Sequence, residues 1–237
     1  MRLFFIIFLS TFVFAKTLYI AASSNISYAM KDLINEYKKQ YKNTYIKIIY
    51  ASSGKLTAQI LHNAPYDIFL SANMKYPEVL YKNKKALTKP KVFARGLISL
   101  FSVKYDNLSI KSLLTAKQIA IANPKFAPYG KAAIEMMKNA KIYNKIKDKL
   151  IYSETVTGVI PYVINSADIG IIAKSSLYSK KIKNLGKYYY KDVNISLYSP
   201  INQGVVLLTN KKEARNFYNF LFTKKAKNIF KRYGYLE

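Results

Sequence analysis

Cysteine and tryptophan are absent from this chain of 237 residues, and histidine occurs once. Without cysteine the protein has no disulfide framework and no thiolate ligand, so its stability must come from a hydrophobic core. The single histidine, His62, argues against a histidine-dependent catalytic triad. We interpret it as a structural or surface residue. The 12 acidic residues also leave few ligands for a metal site.

The chain also lacks a phosphate-binding glycine loop, a dinucleotide fingerprint and a long basic block. Its net charge of +27 is typical of proteins that bind nucleic acid. However, the lysines are spread in short groups, such as Lys82–Lys85 and Lys180–Lys181, without a basic–aromatic module. We therefore expect no nucleic-acid partner. The positive charge instead favours long-range attraction of small anions.

One long apolar run is present, at the N-terminus. It follows Met1-Arg2, extends from Leu3 to Phe14 and ends at Ala15, which is the arrangement of a secretory signal peptide cleaved after Ala15. The run is shorter than the roughly 20 residues of a membrane-spanning helix, and an uncleaved anchor is the alternative. Because no cysteine is available to carry a lipid, we expect an exported protein in a bacterial periplasm.

Apolar β-branched runs alternate with runs of helical spacing through most of the remaining sequence. This alternation predicts an α/β protein with parallel strands covered by helices. Extended segments near 92–103 and 195–208 are suited to cross between two lobes. We therefore predict a first lobe formed by 16–96 plus 198–237 and a second lobe at 97–197. A cleft between the lobes is the expected position of a ligand.

Two short polar turns follow the first two predicted strands, and each opens a predicted helix. They read Ala22-Ser23-Ser24-Asn25 and Ala51-Ser52-Ser53-Gly54-Lys55. Serine and asparagine are common helix caps, but free N–H groups at a helix start also favour a bound anion. Because neighbouring parallel strands bring both turns to one edge of a sheet, we predict that they form half of an anion site.

Two further turns open predicted helices in the second lobe, Pro128-Tyr129-Gly130 and Thr155-Val156-Thr157-Gly158. Tyr129 can donate from its phenol, whereas Val156 offers only its main-chain N–H. Four helix starts that face one cleft make a hydroxyl-rich site of neutral donors, which suits a dianion. Asp67 and Glu154 are interpreted as residues that hold loops or a hinge.

At these turns the chain resembles the periplasmic molybdate-binding proteins of ABC transporters, which have the type II periplasmic binding protein fold. The resemblance extends over essentially all of the mature chain and includes 64–72, Asn123-Pro124 and the C-terminal 230–235. It implies two lobes, each with a mixed, mainly parallel sheet flanked by helices. It also implies a molybdate or tungstate oxyanion held without a cofactor or a directly coordinated metal. The implied oxyanion-binding residues are Ser24, Asn25, Ser53, Tyr129 and Val156.

One departure concerns a tyrosine that many members place just after an Ile-Gly-aliphatic strand. This chain has Ala173 there, whose side chain cannot donate a hydrogen bond. Some members have alanine and others tyrosine where Tyr129 aligns, so Tyr129 is predicted to supply the missing hydroxyl. Where Asn25 aligns, many members have serine and others asparagine, and the side-chain amide of Asn25 is a predicted donor.

The resemblance implies a monomeric periplasmic receptor, not an enzyme, that closes on molybdate or tungstate. The receptor would deliver its ligand to a membrane permease with a cytoplasmic ATPase. One alternative is a receptor of the same fold for sulfate, phosphate or a small organic anion. Another is an exported hydrolase with Ser24 or Ser53 as nucleophile. No histidine is placed to activate either serine, and Lys55 is a weak candidate for that role.

Overall fold

A computed structural model describes residues 16–237, so the predicted signal peptide lies outside the described residues. The strands are β1 Lys16–Ser23, β2 Thr44–Ala51, β3 Ile68–Ser71, β4 Lys91–Gly96, β5 Ile98–Ser102, β6 Ile119–Ala122, β7 Leu150–Ser153, β8 Ile169–Ala173, β9 Tyr189–Asp192 and β10 Ile201–Leu207. The helices are α1 Ser27–Gln40, α2 Ser53–Leu61, α3 Lys75–Lys82, α4 Ser112–Thr115, α5 Pro128–Asn139, α6 Tyr143–Ile146, α7 Val159–Asn165, α8 Lys180–Lys183, α9 Lys212–Phe220 and α10 Lys224–Arg232. Within residues 16–237, no helix has the length and apolar character needed to cross a membrane.

The strands form two five-stranded sheets with the same topology. Their orders are β2-β1-β3-β10-β4 and β7-β6-β8-β5-β9. In each sheet three adjacent strands run parallel. The next strand, β10 or β5, runs antiparallel to both of its neighbours. Four strands of each sheet therefore share one direction, and the predicted two-lobe α/β fold with mixed, mainly parallel sheets is confirmed.

The central strands and the edge strands differ in residue type and in burial. β3 and β8 are buried along their whole length, as continuous apolar strands covered by helices on both faces should be. β2 lies at the edge of the first sheet and exposes Tyr45, Lys47 and Tyr50. The charge of Lys47 on this edge disfavours pairing with another chain.

Each sheet has its own hydrophobic core. In the first lobe, α1, α9 and α10 pack on one face of the sheet and α2 and α3 pack on the other. In the second lobe, α5 and α7 contribute to one large cluster around the sheet. Residues such as Leu18, Phe217 and Ile121 are fully buried, and each side chain of this size contributes roughly 1.5–3 kcal/mol by leaving water.

The chain passes between the two sheets twice. β4 ends at Gly96 in the first sheet, and β5 begins at Ile98 in the second. The return passes through a 3-10 turn at Ile195–Leu197 before β10 begins at Ile201. The sequence predicts one long strand over 195–208 with a break near Pro200, and the structure has a strand only after that break, as β10. The side chain of Asn194 accepts from Ser196 N and stabilises the turn before the break instead.

Candidate functional site

All four predicted turns follow parallel strands at the ends where the two sheets face each other. The turns at 24–26 and 52–55 follow β1 and β2, and the turns at 123–129 and 154–158 follow β6 and β7. β1 and β6 occupy the same place in their sheets, as do β2 and β7. The two lobes thus bring topologically equivalent turns to one interface.

The first turn begins a 3-10 helix with Ser24 and Asn25, which are both buried. The main-chain N–H groups at the first positions of a helix have no acceptor within the helix. Ser23 precedes the turn and makes no side-chain capping bond. The turn therefore offers main-chain donors that the local structure leaves unsatisfied.

The second turn begins α2 with Ser53. Its Oγ accepts a hydrogen bond from Ala72 N at 3.0 Å, so the hydroxyl is held in place while its proton remains able to donate. The preceding Ser52 makes no capping bond, and its Oγ is buried without a partner among the described residues. Two buried hydroxyls and the N–H of Ser53 therefore meet at this helix start.

In the second lobe, α5 begins with Pro128 and Tyr129. Proline at the first helical position lacks the N–H that would have no partner there. Gly130 N and Lys131 N donate to Ala127 O. The N–H of Tyr129 lies too close to the start of the helix to have an acceptor within it. This helix start therefore offers one main-chain donor.

Val156 lies in a turn that ends before α7. Gly158 N donates to both the main-chain oxygen and Oγ1 of Thr155. These bonds form a closed turn, and α7 begins at Val159 instead of at Val156 as the helical spacing predicts. Val156 is buried. Its main-chain N–H is therefore presented from a tight turn ahead of the helix.

Asn25 and Tyr129 meet across the lobes in a buried hydrogen-bond cluster. Asn25 Nδ2 lies 3.2 Å from Tyr129 Oη, 2.9 Å from Gln203 Oε1 and 2.8 Å from Tyr235 Oη. Gln203 is on β10, and Tyr235 follows α10. The structure therefore brings two of the predicted site residues into direct contact and adds two that were not predicted.

Hydrogen bonding fixes the orientation of the Asn25 amide. Gln203 Nε2 donates to Ile201 O at 2.9 Å, so Gln203 must present its oxygen to Asn25, and Asn25 must present its nitrogen. The two amide hydrogens then have their shortest acceptors in Gln203 and Tyr235. Asn25 Oδ1 is buried without a partner among the described residues. The side-chain amide is thus engaged within the protein.

The hydroxyl of Tyr129 lies against the first crossing between the lobes. A Cβ atom at Gly96 would overlap Tyr129 Oη, so only glycine lets the phenol come this close to β4. Burial raises the pKa of Tyr129 well above its ordinary value, and nearby Tyr235 and Tyr198 raise it further. The hydroxyl therefore remains a neutral donor. Its oxygen lies 3.2 Å from Asn25 Nδ2, which is the longest of the three contacts of that nitrogen.

Further contacts close the lobes around this site. Gly54 N donates to Phe126 O at 3.0 Å, and Lys55 Nζ lies 2.8 Å from Glu154 Oε1. Ser175 Oγ donates to Asn25 O at 2.9 Å. These contacts join the beginnings of the first-lobe helices directly to loops of the second lobe.

The two predicted loop-holding carboxylates do hold loops. Glu154 pairs with Lys55 across the lobes, and Asp67 accepts from Tyr19 N and from Thr209 Oγ1, each at 2.9 Å. Lys211 Nζ also lies 3.0 Å from Asp67 Oδ1. Both carboxylates therefore have structural partners.

The residues around Ser24 and Ser53 give little support to acyl transfer. His62 is exposed at the carboxyl end of α2, about three turns from Ser53 at its start. Lys55 is paired with Glu154. In the part of the chain described here, no group of three or more histidine or acidic residues is placed to hold a metal ion. The arrangement is instead suited to bind an anion through neutral donors.

Three residues of this site are not predicted by any local sequence pattern: Ser175, Gln203 and Tyr235. Ala173 ends β8 and is buried, and the hydroxyl that follows it two residues later contacts Asn25 O. Tyr235 belongs to the C-terminal segment that carries part of the resemblance, which is the one signal that could have found it.

The family described as bacterial extracellular solute-binding protein matches residues 18–236. The molybdate-binding protein ModA of Azotobacter vinelandii is 30% identical over 227 residues, which cover 91% of this chain and 88% of that protein.

Two solved structures have a similar fold. The periplasmic molybdate-binding protein of Azotobacter vinelandii superposes with a TM-score of 0.83 at 26% identity, covering 93% of this chain and 99% of that one. The substrate-binding domain of a putative molybdenum ABC transporter from Clostridium difficile superposes with a TM-score of 0.70 at 29% identity. That match covers 93% of this chain and 98% of the other.

Proposed function

The chain belongs to the bacterial extracellular solute-binding protein family, and from this membership we propose that it is a periplasmic receptor for molybdate or tungstate. The observation that carries the proposal is the meeting of four helix starts and turns at the interface of two closed lobes. Their donors are main-chain N–H groups and hydroxyls, which stabilise an anion without burying a lysine. Relatives that are named as molybdate-binding proteins support the choice of ligand.

In this proposal the first lobe holds the oxyanion through Ser24 and Asn25 at one turn and Ser53 at the other. Ser53 contributes its hydroxyl, already oriented by Ala72 N. The amide of Asn25 is engaged with Gln203 and Tyr235. We therefore assign ligand binding at Asn25 to its main-chain N–H, and not to the side-chain donor expected from the sequence.

The second lobe completes the site with Tyr129 and the main-chain N–H of Val156. Tyr129 offers its own N–H and the proton of its hydroxyl, and this hydroxyl takes the place of the one that Ala173 cannot provide. Molybdate, tungstate and sulfate are dianions, so charge alone does not separate them. Selection must come from the size of the enclosed space and the placement of the donors.

The transport role follows from the same family membership. We propose that residues 1–15 direct export, that the monomer acts without catalysis, and that it delivers its ligand to an ABC permease with a cytoplasmic ATPase. The positive net charge of the chain attracts anions over long range and accelerates their capture.

Calorimetric titration of the dialysed protein tests the proposal. We expect saturable binding of one molybdate or tungstate per chain and far weaker binding of sulfate. Raising the salt concentration distinguishes this site from loose binding to surface lysines, because screening removes only the latter. Preference for sulfate, phosphate or an organic anion would favour the same fold with another ligand. Absence of any oxyanion binding would contradict the proposal.

A further inference from the structure

The C-terminal residues form a strap between the two lobes. After α10 ends, Leu236 pairs with Arg95 through two main-chain hydrogen bonds of 2.8 Å. Gly234 has a φ of +76°, a conformation that favours glycine. A Cβ there would lie 2.9 Å from Lys174 Cγ in the second lobe. The strap therefore runs along β4 while it contacts the chain just after β8.

Tyr235 extends from this strap into the candidate site. Its ring packs edge-on against Phe230, with 5.7 Å between the ring centroids, and the residue is 3% exposed. Its Oη accepts from Asn25 Nδ2 at 2.8 Å and donates to Asn25 O at 3.0 Å. One hydroxyl thus bonds both the side chain and the main chain of the same residue.

Four hydrogen bonds, two of them with this hydroxyl, leave Asn25 little freedom. The bonds that its amide nitrogen donates to Gln203 and Tyr235 hold the side chain, and the bonds that its carbonyl oxygen accepts from Tyr235 and Ser175 hold the following peptide. The Asn25 N–H belongs to the preceding peptide, and its position depends on the Asn25 Cα that these bonds hold from the side-chain and carbonyl sides. A small rotation would move that donor away from a bound oxygen, and hydrogen bonds weaken steeply as their angle bends.

We propose that Tyr235 is a positioning residue of the oxyanion site, which holds Asn25 in the orientation that directs its main-chain N–H to the anion. This inference rests on the proposed function. Because Asn25 also contacts Tyr129 and Ser175, the same hydroxyl supports the closed arrangement of the lobes. Tyr235 itself does not contact the anion.

The test compares Tyr235→Phe with Tyr37→Phe. Tyr37 is also buried in the first lobe, and its hydroxyl bonds Glu213 O at 3.4 Å in the core, away from the predicted site turns. Both variants keep the ring and lose one hydroxyl. For Tyr235→Phe we expect the Kd for molybdate to rise about tenfold, mainly through faster dissociation. For Tyr37→Phe we expect a Kd within about twofold of wild type. A melting temperature for each ligand-free variant controls for stability.

A double-mutant cycle with Asn25→Ala distinguishes positioning from general stabilisation. Asn25→Ala removes the side-chain partner of Tyr235 Oη and keeps the main-chain oxygen that accepts from it, so the effect of Tyr235→Phe on Kd should become smaller in the Asn25→Ala background without vanishing. An equal effect in both backgrounds would overturn a positioning role that acts through the Asn25 side chain, whatever the change in melting temperature.

Titration of the wild-type protein distinguishes failure of the positioning role from failure of the proposed function. Wild-type binding combined with equal Kd values for Tyr235→Phe and Tyr37→Phe contradicts the positioning role alone. Wild-type protein that binds no molybdate contradicts the proposed function and the positioning role with it.

Discussion

The two lobes share a strand order but differ in the donors they bring to the proposed site. The first lobe presents Ser24 and Ser53 with their hydroxyls, and Ser53 is oriented by Ala72 N from the same lobe. The second lobe presents main-chain N–H groups and the phenol of Tyr129, which is buried against Gly96 and Asn25 of the other lobe. The Ser53 hydroxyl is thus oriented within its own lobe, whereas Asn25 and Tyr129 depend on contacts that form on closure.

Away from the site, the two lobes each have an aspartate that accepts a main-chain hydrogen bond at the same place in the sheet. Asp67 and Asp168 directly precede the equivalent strands β3 and β8. Asp67 accepts from Tyr19 N, and Asp168 accepts from Lys117 N. Each also pairs with a lysine, Lys211 or Lys104. These equivalent contacts therefore help to maintain the common strand order of the two lobes.

The largest expected effect is on the first half-site. Ser53→Ala removes a hydroxyl donor to a charged ligand and leaves Ala72 N without its acceptor. We expect weaker molybdate binding by about 3 kcal/mol, the upper end of the range for such a bond. Ser102 is an equally buried serine that accepts two main-chain N–H groups in the second lobe. Ser102→Ala should lower stability but leave Kd unchanged. Equal molybdate Kd values for Ser53→Ala and Ser102→Ala would show that Ser53 is not part of the site.

A smaller effect is expected in the second half-site. Tyr129→Phe retains the ring and the main-chain N–H and loses only the hydroxyl, so we expect a loss of about 1.5 kcal/mol in binding free energy. Dissociation should accelerate more than association slows, because this group completes the site on closure. Stopped-flow kinetics measure both rates. Unchanged dissociation would show that the hydroxyl does not replace the donor missing at Ala173.

Asp168→Asn tests the structural likeness of the lobes apart from binding. Partial burial acts to raise the pKa of Asp168, and hydrogen bonds from the N–H groups of Lys117 and Gln118 oppose it. Together with the ammonium of Lys104 they lower the pKa below its ordinary value.

Because the pKa is lower in the folded state, Asp168 stabilises the fold at pH values above the unfolded pKa. This stabilisation is lost as pH falls through the folded pKa. We expect Asp168→Asn to lower the melting temperature near neutral pH and to match wild type in strong acid. Its molybdate Kd should not change. A difference in melting temperature that persists in strong acid would contradict this assignment.

The smallest effect is expected at the rim of the closed lobes. Lys55 and Glu154 are both about half exposed, and exposed ion pairs contribute about 0.5 kcal/mol. Glu154→Gln should therefore change molybdate affinity by less than about threefold, and high salt should remove the difference from wild type. A tenfold loss that persists in salt would make this pair part of the binding machinery.

Much of the fold follows from local sequence. The apolar run at 169–173 and the helical spacing at 75–82 predict β8 and α3 at their observed bounds, and the expected family is confirmed by the match over residues 18–236. β7 and β9 were not predicted, because they are short and their tyrosines and lysine are largely exposed. Their pairing is decided by neighbouring strands.

Local sequence predicts some residues of the site, whereas other contacts of the site arise only from the packed structure. A polar turn between a strand and a helix locates Ser53 and Tyr129 without knowledge of the fold. The partners of Asn25 come from positions 178 and 210 residues away in sequence, and only the packed structure brings them together. The expectation for the Asn25 amide was for this reason incomplete: its hydrogens are engaged by Gln203 and Tyr235.

The most direct test of the account is the position of molybdenum in a crystal of the molybdate complex, located by anomalous scattering. We predict one molybdenum atom between the turns at 24–25, 53, 129 and 156, with its oxygens bound by hydroxyl and main-chain N–H groups and by no lysine. Molybdenum at another place, or an anion held there by a lysine ammonium, would contradict the account.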